Sequence, residues 1–549
     1  MKIEIIDGGL LKKALAGAAK LLENNREEVN SLNVFPVPDG DTGTNMSLTV
    51  KSAVKQGLSV AEDNASKIML AASQGSLMGA RGNSGVILSQ LFRGFANGLR
   101  GKETIDIKTL AEALKQASDT AYKAVMKPTE GTILTVAREC GEYAISISKE
   151  EKDLLTFIKK VIDHGNKALE KTPELLPVLK QAGVVDAGGK GLIYILTGAY
   201  YALSGIEDFQ EEISVSSAPV KEKQVREYID TDDIKFGYCT EFMINTKFND
   251  IENLREELSL RGDSLLVVGG ENIIKVHIHT NNPGLVLEKA LSLGELSDIK
   301  IDNMRYQHEE VLLKDELQSL NIKENNEERP LKKYSFVAIS IGEGIDDVFY
   351  GLHVDEVVPG GQTMNPSTED ILTAIEKTNG ENVFVLPNNG NIILAAEQSK
   401  ELSDRNVIVL PTKTIPEGIA SLLVFDENKE IDENAEAMKE VISNIITGQI
   451  TYAVRDTEFN NTKINKDDII GISKGDIITT GKDINDVATK LIEEIINDDI
   501  SIITIFYGKD LEEDTANVLA ESLEERFSDI DIEVVYGGQP LYYYIFSLE

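Results

Sequence analysis

Asn33-Val-Phe-Pro-Val-Pro-Asp-Gly-Asp-Thr-Gly-Thr-Asn45 is the stretch on which this chain turns. Pro36 and Pro38 each remove a backbone donor and stiffen the approach. Asp39 and Asp41 flank Gly40, so a tight turn brings two carboxylates toward one centre. Magnesium takes such hard oxygen ligands, commonly one or two carboxylates with phosphate oxygens and water. Asn33 offers a further oxygen, and Gly43-Thr44-Asn45 opens a helix whose N–H groups point at whatever anion the metal holds. A turn with a helix cap would use the same residues for structure alone.

Working outward, residues 1–205 read as helical. Leu11, Leu15, Ala18 and Leu22 fall on one helix face, as do Ile87, Leu91 and Phe95. Gly-rich loops interrupt the pattern at 39–43, 78–85, 128–132 and 185–191. An all-helical bundle or barrel with its site at one end is expected. In the second loop, Gly82-Asn83-Ser84 precedes an apolar-periodic helix, which lets backbone approach phosphate closely while Ser84 adds a hydroxyl. Arg81 suits two roles equally, neutralising transferred charge or forming a loop salt bridge. No Walker A pattern and no kinase Gly-rich loop after a strand occurs, so an ATP site here belongs to another class.

Residues 206–230 are polar and acidic, and read as a linker. Residues 231–308 give strands at 236–245, 264–268, 272–280 and 298–303, with helices at 251–260 and 283–293, the βαββαβ order of a ferredoxin-like domain. Alternation puts His277 and His279 on one face of a strand, and Cys239 with Glu241 on one face of the expected neighbour. Cys, His, His is a zinc-compatible set with a fourth position open; the polar face of a half-solvated strand would need the same residue types. Residues 309–332 form a second charged linker, and 333–549 alternate strands and helices as a parallel α/β domain. Within it, Val357-Val-Pro-Gly-Gly-Gln362 is echoed by Val534-Val-Tyr-Gly-Gly-Gln539, which suggests two related halves or a coincidence.

Composition narrows the partners. The 549 residues include 92 acidic and 55 basic side chains, a net charge of −37, which repels nucleic acid and anionic membrane surfaces. Two cysteines, no signal-peptide core and no long apolar run fit a cytoplasmic protein with no membrane insertion.

Four motifs carry a resemblance: 33–46, Gly79-Ala-Arg-Gly-Asn-Ser-Gly-Val-Ile87, Lys127-Pro-Thr-Glu-Gly-Thr-Ile133 and Gly183-Val-Val-Asp-Ala-Gly-Gly-Lys-Gly-Leu192. Together they resemble the nucleotide-binding domain of the dihydroxyacetone kinase family. With Tyr238-Cys-Thr-Glu241, His277-Ile-His279, the loop 360–368 and Tyr452-Ala-Val-Arg-Asp456, the whole chain is similar to the ATP-binding subunit of bacterial fatty acid kinase. That resemblance implies an eight-helix barrel binding ATP with two Mg²⁺ ions. It implies Asp39 and Asp41 as metal ligands with Asn33 a candidate, and Thr44, Asn45, Gly82, Asn83, Ser84, Thr132, Asp186 and Gly188 around the nucleotide. Triose kinases carry a third Asp upstream of the pair, where this chain has Asn33. It also implies a zinc-type site at Cys239, His277 and His279, a homodimer, and a separate fatty-acid-binding protein docked on the C-terminal domain, where Gly361, Gln362, Asn365, Arg455 and Asp456 sit in loops. The expected product is an acyl phosphate feeding phospholipid synthesis. A dihydroxyacetone or small-polyol kinase is the alternative, but it would use a covalent His in the C-terminal region, where His353 stands in no matching motif. A non-catalytic nucleotide-sensing regulator would lack the acidic pair.

Overall fold

The computed structural model describes residues 3–33, 40–125, 127–206, 238–246, 254–255, 257–258, 261–270, 273–303, 331–361, 364–459 and 462–549. The expected ligand Asp39, Gln362 and nearly all of both linkers lie outside these residues. The chain forms two compact units, Met1–Val215 with Leu331–Glu549, and Ser216–Pro330. No helix of the described residues is long and apolar enough to cross a membrane.

The N-terminal part is helical. It comprises α1 (Gly8–Asn24), α2 (Arg26–Ser31), α3 (Thr42–Ser59), α4 (Ala65–Met78), α5 (Gly82–Gly98), α6 (Ile107–Ala124), α7 (Ile133–Ile147), α8 (Leu154–Glu170), the short α9 (Thr172–Leu175) and α10 (Pro177–Ala182), and α11 (Ala187–Ser204). Local chemistry sets where several begin. Asp7, Asp106 and Asp153 accept from Leu10, Thr109 and Thr156 N–H at 2.7–2.9 Å, and so cap α1, α6 and α8. Leu11, Leu15, Ala18 and Leu22 are all buried, so the expected face of α1 is the one that packs. Each long helix lies against the next, and α11 returns against α1. That last contact is close because it runs over glycine. A Cβ on Gly17 would sit 2.5 Å from the Gly198 carbonyl oxygen. Cys140 is buried in this core, where loss of hydration pushes its thiol up to about 12 and it behaves as a small apolar residue.

In the middle unit, β1 (Tyr238–Asn245), β2 (Gly262–Gly270), β3 (Ile273–Thr280) and β4 (Glu295–Asn303) form one sheet in the order β2-β3-β1-β4, every neighbour antiparallel. Helix Pro283–Leu291 joins β3 to β4. Phe242, Ile244, Val276 and Ile278 fill its core with Leu254 and Leu258.

The C-terminal part holds two main sheets. β5 (Lys332–Ser340), β6 (Glu356–Pro359), β7 (Gly380–Leu386) and β8 (Asn406–Val409) are parallel, in the order β6-β5-β7-β8. The second sheet contains β9 (Ile446–Tyr452), β12 (Ile469–Ser473), β13 (Asp476–Gly481), β14 (Ile502–Tyr507), β15 (Asp531–Tyr536) and β16 (Tyr544–Leu548), with the small hairpin β10 (Thr457–Phe459)–β11 (Thr462–Ile464) separate from it. Only β14 and β15 pair in parallel there. The parallel α/β arrangement expected for 333–549 is thus found in the first sheet, while the second is mixed. Between β12 and β13 the cause is local: Lys474 and Gly475, at φ 52° and 82°, make a two-residue turn that only an antiparallel pair can use. The echoed Val-Val-x-Gly-Gly segments close matching units, β5–helix–β6 and β14–helix–β15, each ending on an edge strand.

Gly17→Ala is expected to force α1 from α11 and cost about 1–3 kcal/mol, read from the urea midpoint. An unchanged midpoint would mean that the close α1–α11 contact contributes nothing to stability.

Candidate active site

A cavity of about 480 Å³ opens where α3, α5, α7 and α11 begin. The four Gly-rich loops of the N-terminal part bring those helix starts together. Asp41, Thr42 and Asn45 line the cavity from α3, Asn83 and Ser84 from α5, Thr132 and Ile133 from α7, and Asp186, Ala187 and Gly188 from α11. Gly82 begins α5 at φ +57°, and a Cβ there would meet the side-chain amides of Asn45 at 2.5 Å and Asn365 at 3.0 Å. Only glycine lets the three segments approach so closely.

Asp41 occupies the cap position of α3, yet its side chain makes no capping hydrogen bond. Its Oδ2 instead accepts from the Asn365 Nδ2 amide. The carboxylate thus pairs with a loop of the C-terminal part rather than capping α3. Asn33 is nearby, but its Oδ1 accepts from the Thr42 hydroxyl at 2.7 Å and its carbonyl oxygen accepts from the Arg455 guanidinium.

Asp186 shows how the helix starts are used. Its Oδ2 accepts from Gly189 N–H at 2.6 Å, capping α11, and it also takes the Ile133 N–H at the start of α7. Burial nevertheless pushes its carboxyl up to about 6, because loss of water outweighs those two donors. Each helix start carries about half a positive charge, and Asp186 already answers two of the four. The remaining two, at the starts of α3 and α5, keep about one positive charge between them beside the Asp41 carboxylate.

The C-terminal part covers this end of the helices. Arg81 Nη1 donates to the Asn365 carbonyl oxygen at 2.7 Å, and its other amine pairs with Asp370 at 3.3 Å. Arg81 and Ser367 form an isolated antiparallel bridge, and Thr368 N–H donates to the Ala80 carbonyl at 3.1 Å. Asn83 Nδ2 reaches the Gly390 carbonyl and Asn391 Oδ1, both at 3.4 Å. Asn391, Gln449, Ile472, Gly475 and Tyr542 complete the cavity wall.

Most of the residues singled out in the sequence are therefore brought together: Asn33, Asp41, Asn45, Asn83, Ser84, Thr132, Asp186 and Gly188 all line one space. Three are placed otherwise. Gly82 is absent from the cavity wall and packs against the side-chain amides of Asn45 and Asn365. Arg81 is absent from the cavity wall and serves the salt bridge to Asp370. Thr44 is absent too: Asn30 Oδ1 accepts its N–H and Asn30 Nδ2 donates to its hydroxyl oxygen, both at 3.2 Å. Asn30, Thr42, Asn365 and Arg455 contribute where sequence reasoning assigns no role or a different one. Asn365 and Arg455 lie in recognisable loop motifs, but pairing across more than 300 residues leaves no local trace. In the middle unit, backbone register sets Cys239 opposite His279 and Glu241 opposite His277. The side chains of Cys239, His277 and His279 lie outside what is described. Among the described residues, no cluster of three metal-ligating side chains occurs.

Comparison with known proteins agrees with this architecture. Residues 36–201 match the DAK2 domain, 235–311 the middle domain of FakA-like fatty acid kinase subunits, and 335–549 the C-terminal domain of the same FakA-like subunits. Protein YloV of Bacillus subtilis is 43% identical over all of both chains. An uncharacterized protein of Staphylococcus saprophyticus is 44% identical over 99% of each. A DegV family protein from Corynebacterium glutamicum aligns over 40% of this chain and 97% of its own at 13% identity and TM-score 0.32, too low to bear on fold or function. Helix starts around a polar cavity, in a segment matching DAK2, define a kinase class. The chain belongs to the FakA-like family of fatty acid kinase subunits.

The Asp186 carboxyl, raised by burial, gives a stability signature with a definite sign. It favours the fold below about pH 4, and that contribution is lost as pH rises through about 6. Asp186→Asn keeps the cap and removes the charge. The nucleotide-free variant is expected to match wild type near pH 4 and to exceed it above pH 6.5 by up to roughly 3 kcal/mol in denaturant unfolding. That figure is an upper bound because the cavity leaves Asp186 partly open to water. Equal stability at both pH values would contradict the assignment.

Proposed function

We propose that this chain is the ATP-using subunit of a fatty acid kinase. It transfers the terminal phosphoryl group of ATP to a fatty acid carboxylate, presented by a separate fatty-acid-binding protein, and an acyl phosphate results. The observation that carries this proposal is the convergence of Asp41, Asp186 and four helix starts on one polar cavity. The family's description in terms of subunits supports a companion chain.

The donor set fits magnesium, since the cavity offers carboxylate, amide and hydroxyl oxygens with no thiol or imidazole among its lining residues. Asp41, with Asp39 by sequence pattern and Asn33 as a candidate, would hold the metal. A metal held there would supply charge to neutralise the phosphate oxygens. The chain's own residues do the rest. N–H groups at the starts of α3 and α5 receive phosphate oxygens, with Asn45, Asn83 and Ser84 beside them. Thr132 and Gly188 wall the opposite side. Little covalent work is required of the protein, because phosphoryl transfer is accelerated chiefly by positioning and charge stabilisation. Cys239, His277 and His279 would hold a zinc ion in the middle unit, a proposal supported by their donor chemistry and by the pairing of Cys239 with His279. The eight long helices read as a closed barrel and the middle sheet as ferredoxin-like, with a homodimer and a cytoplasmic location completing the proposal.

Asp41→Asn is expected to lower ATP turnover by about 10²-fold or more with oleate and a fatty-acid-binding protein present. Undiminished turnover would remove the metal role from this loop. Turnover with dihydroxyacetone and none with oleate plus the carrier would replace the carboxylate acceptor with a triose.

A further inference from the structure

A second polar cavity, of about 570 Å³, lies in the C-terminal α/β part. It opens at the carboxyl ends of the parallel strands, where Gly360 and Gly361 follow β6, Asn388 follows β7 and Lys413 follows β8. Strand β5 lies between β6 and β7, so the chain leaves it to one side and returns on the other. Such a switch point leaves a crevice that open parallel sheets use for ligands. Asn388 spans it. Its Nδ2 donates to the Ile339 carbonyl at 3.0 Å, its N–H donates to the Thr412 hydroxyl at 3.0 Å, and its φ is +54°. Only 7% exposed, it is held in a left-handed conformation that most side chains avoid.

The charge at this wall departs from that of the chain. Against a net −37 overall, the charged residues lining the cavity are Lys413, Lys474 and Glu417. Glu417 is occupied: its Oε2 accepts the Lys413 N–H at 2.5 Å, and burial raises its carboxyl above the ordinary range. Helix Ile415–Leu423 also begins here and adds the positive end of its dipole. Gln449, Gly475 and Tyr542 line both this cavity and the nucleotide cavity, so the two share a wall.

We infer that this second cavity is an oxyanion site, taking one carboxylate or phosphate group beside a nucleotide already bound. This inference rests on the kinase proposal, in which a carboxylate enters and a phosphorylated product leaves next to the nucleotide.

The test uses the full chain with the first cavity filled by magnesium and a non-hydrolysable ATP analogue. Inorganic phosphate and octanoate are titrated separately by calorimetry. At least one is expected to bind, and Lys413→Gln and Lys474→Gln are each expected to raise its Kd, the pair together by about tenfold or more. Affinity for the ATP analogue should stay within about twofold of wild type. Binding by octanoate alone identifies a carboxylate site, and binding by phosphate alone a phosphate site. Both lysines are exposed, and thermal melts check that the variants fold. The inference falls if neither anion binds at about 10 mM, if the lysine variants bind as wild type, or if the analogue weakens in parallel. Failure of the analogue to bind wild type would sink the kinase proposal instead. The same anion titrations on nucleotide-free protein would then still decide this site.

Discussion

Four helices begin at one point, and the rest of this structure follows from how their positive ends are satisfied. A helix start in a protein interior leaves N–H groups without partners, and four together concentrate about two positive charges in a small space. Asp186 answers two of them and is itself strained by burial, as its raised carboxyl records. The other two face a cavity wall with Asp41, whose carboxylate does no capping. That imbalance makes a cavity polar enough to hold a polyphosphate in a strongly acidic chain.

The arrangement is not self-contained in the helical part. Asn365, fully buried, donates to Asp41 and receives Arg81 on its carbonyl, while Arg455 reaches Asn33 from another loop of the same C-terminal part. A buried hydrogen bond to a charged group is worth about 1.5–3 kcal/mol, whereas the half-exposed Arg81–Asp370 pair adds less than about 1. The amide contact is thus the stronger link, and it falls on the very carboxylate assigned to the metal.

The sequence made the helical part legible because its signals are local. Leu11, Leu15, Ala18 and Leu22 share one face, and four Gly-rich loops mark where helices turn. Those loops also held most of the cavity wall, since glycine and small polar residues at a helix start serve close approach and anion contact at once. Long-range pairing was not legible. Nothing near Asn365 or Arg455 announces a partner in the first fifty residues. Thr44 fitted the anion pattern by position, and only the fold reveals that Asn30 claims both its polar atoms. The antiparallel second sheet escaped for a related reason: β9 and β16 lie nearly a hundred residues apart in the chain.

Hydrogen exchange at the helix starts addresses the central claim most directly. Adding magnesium and ATP to the full chain should slow exchange of the backbone amides at the beginnings of α3 and α5, with Asp41→Asn abolishing the effect. Unaltered exchange at both helix starts, under conditions where nucleotide is bound, would contradict the placement of the phosphates in this cavity.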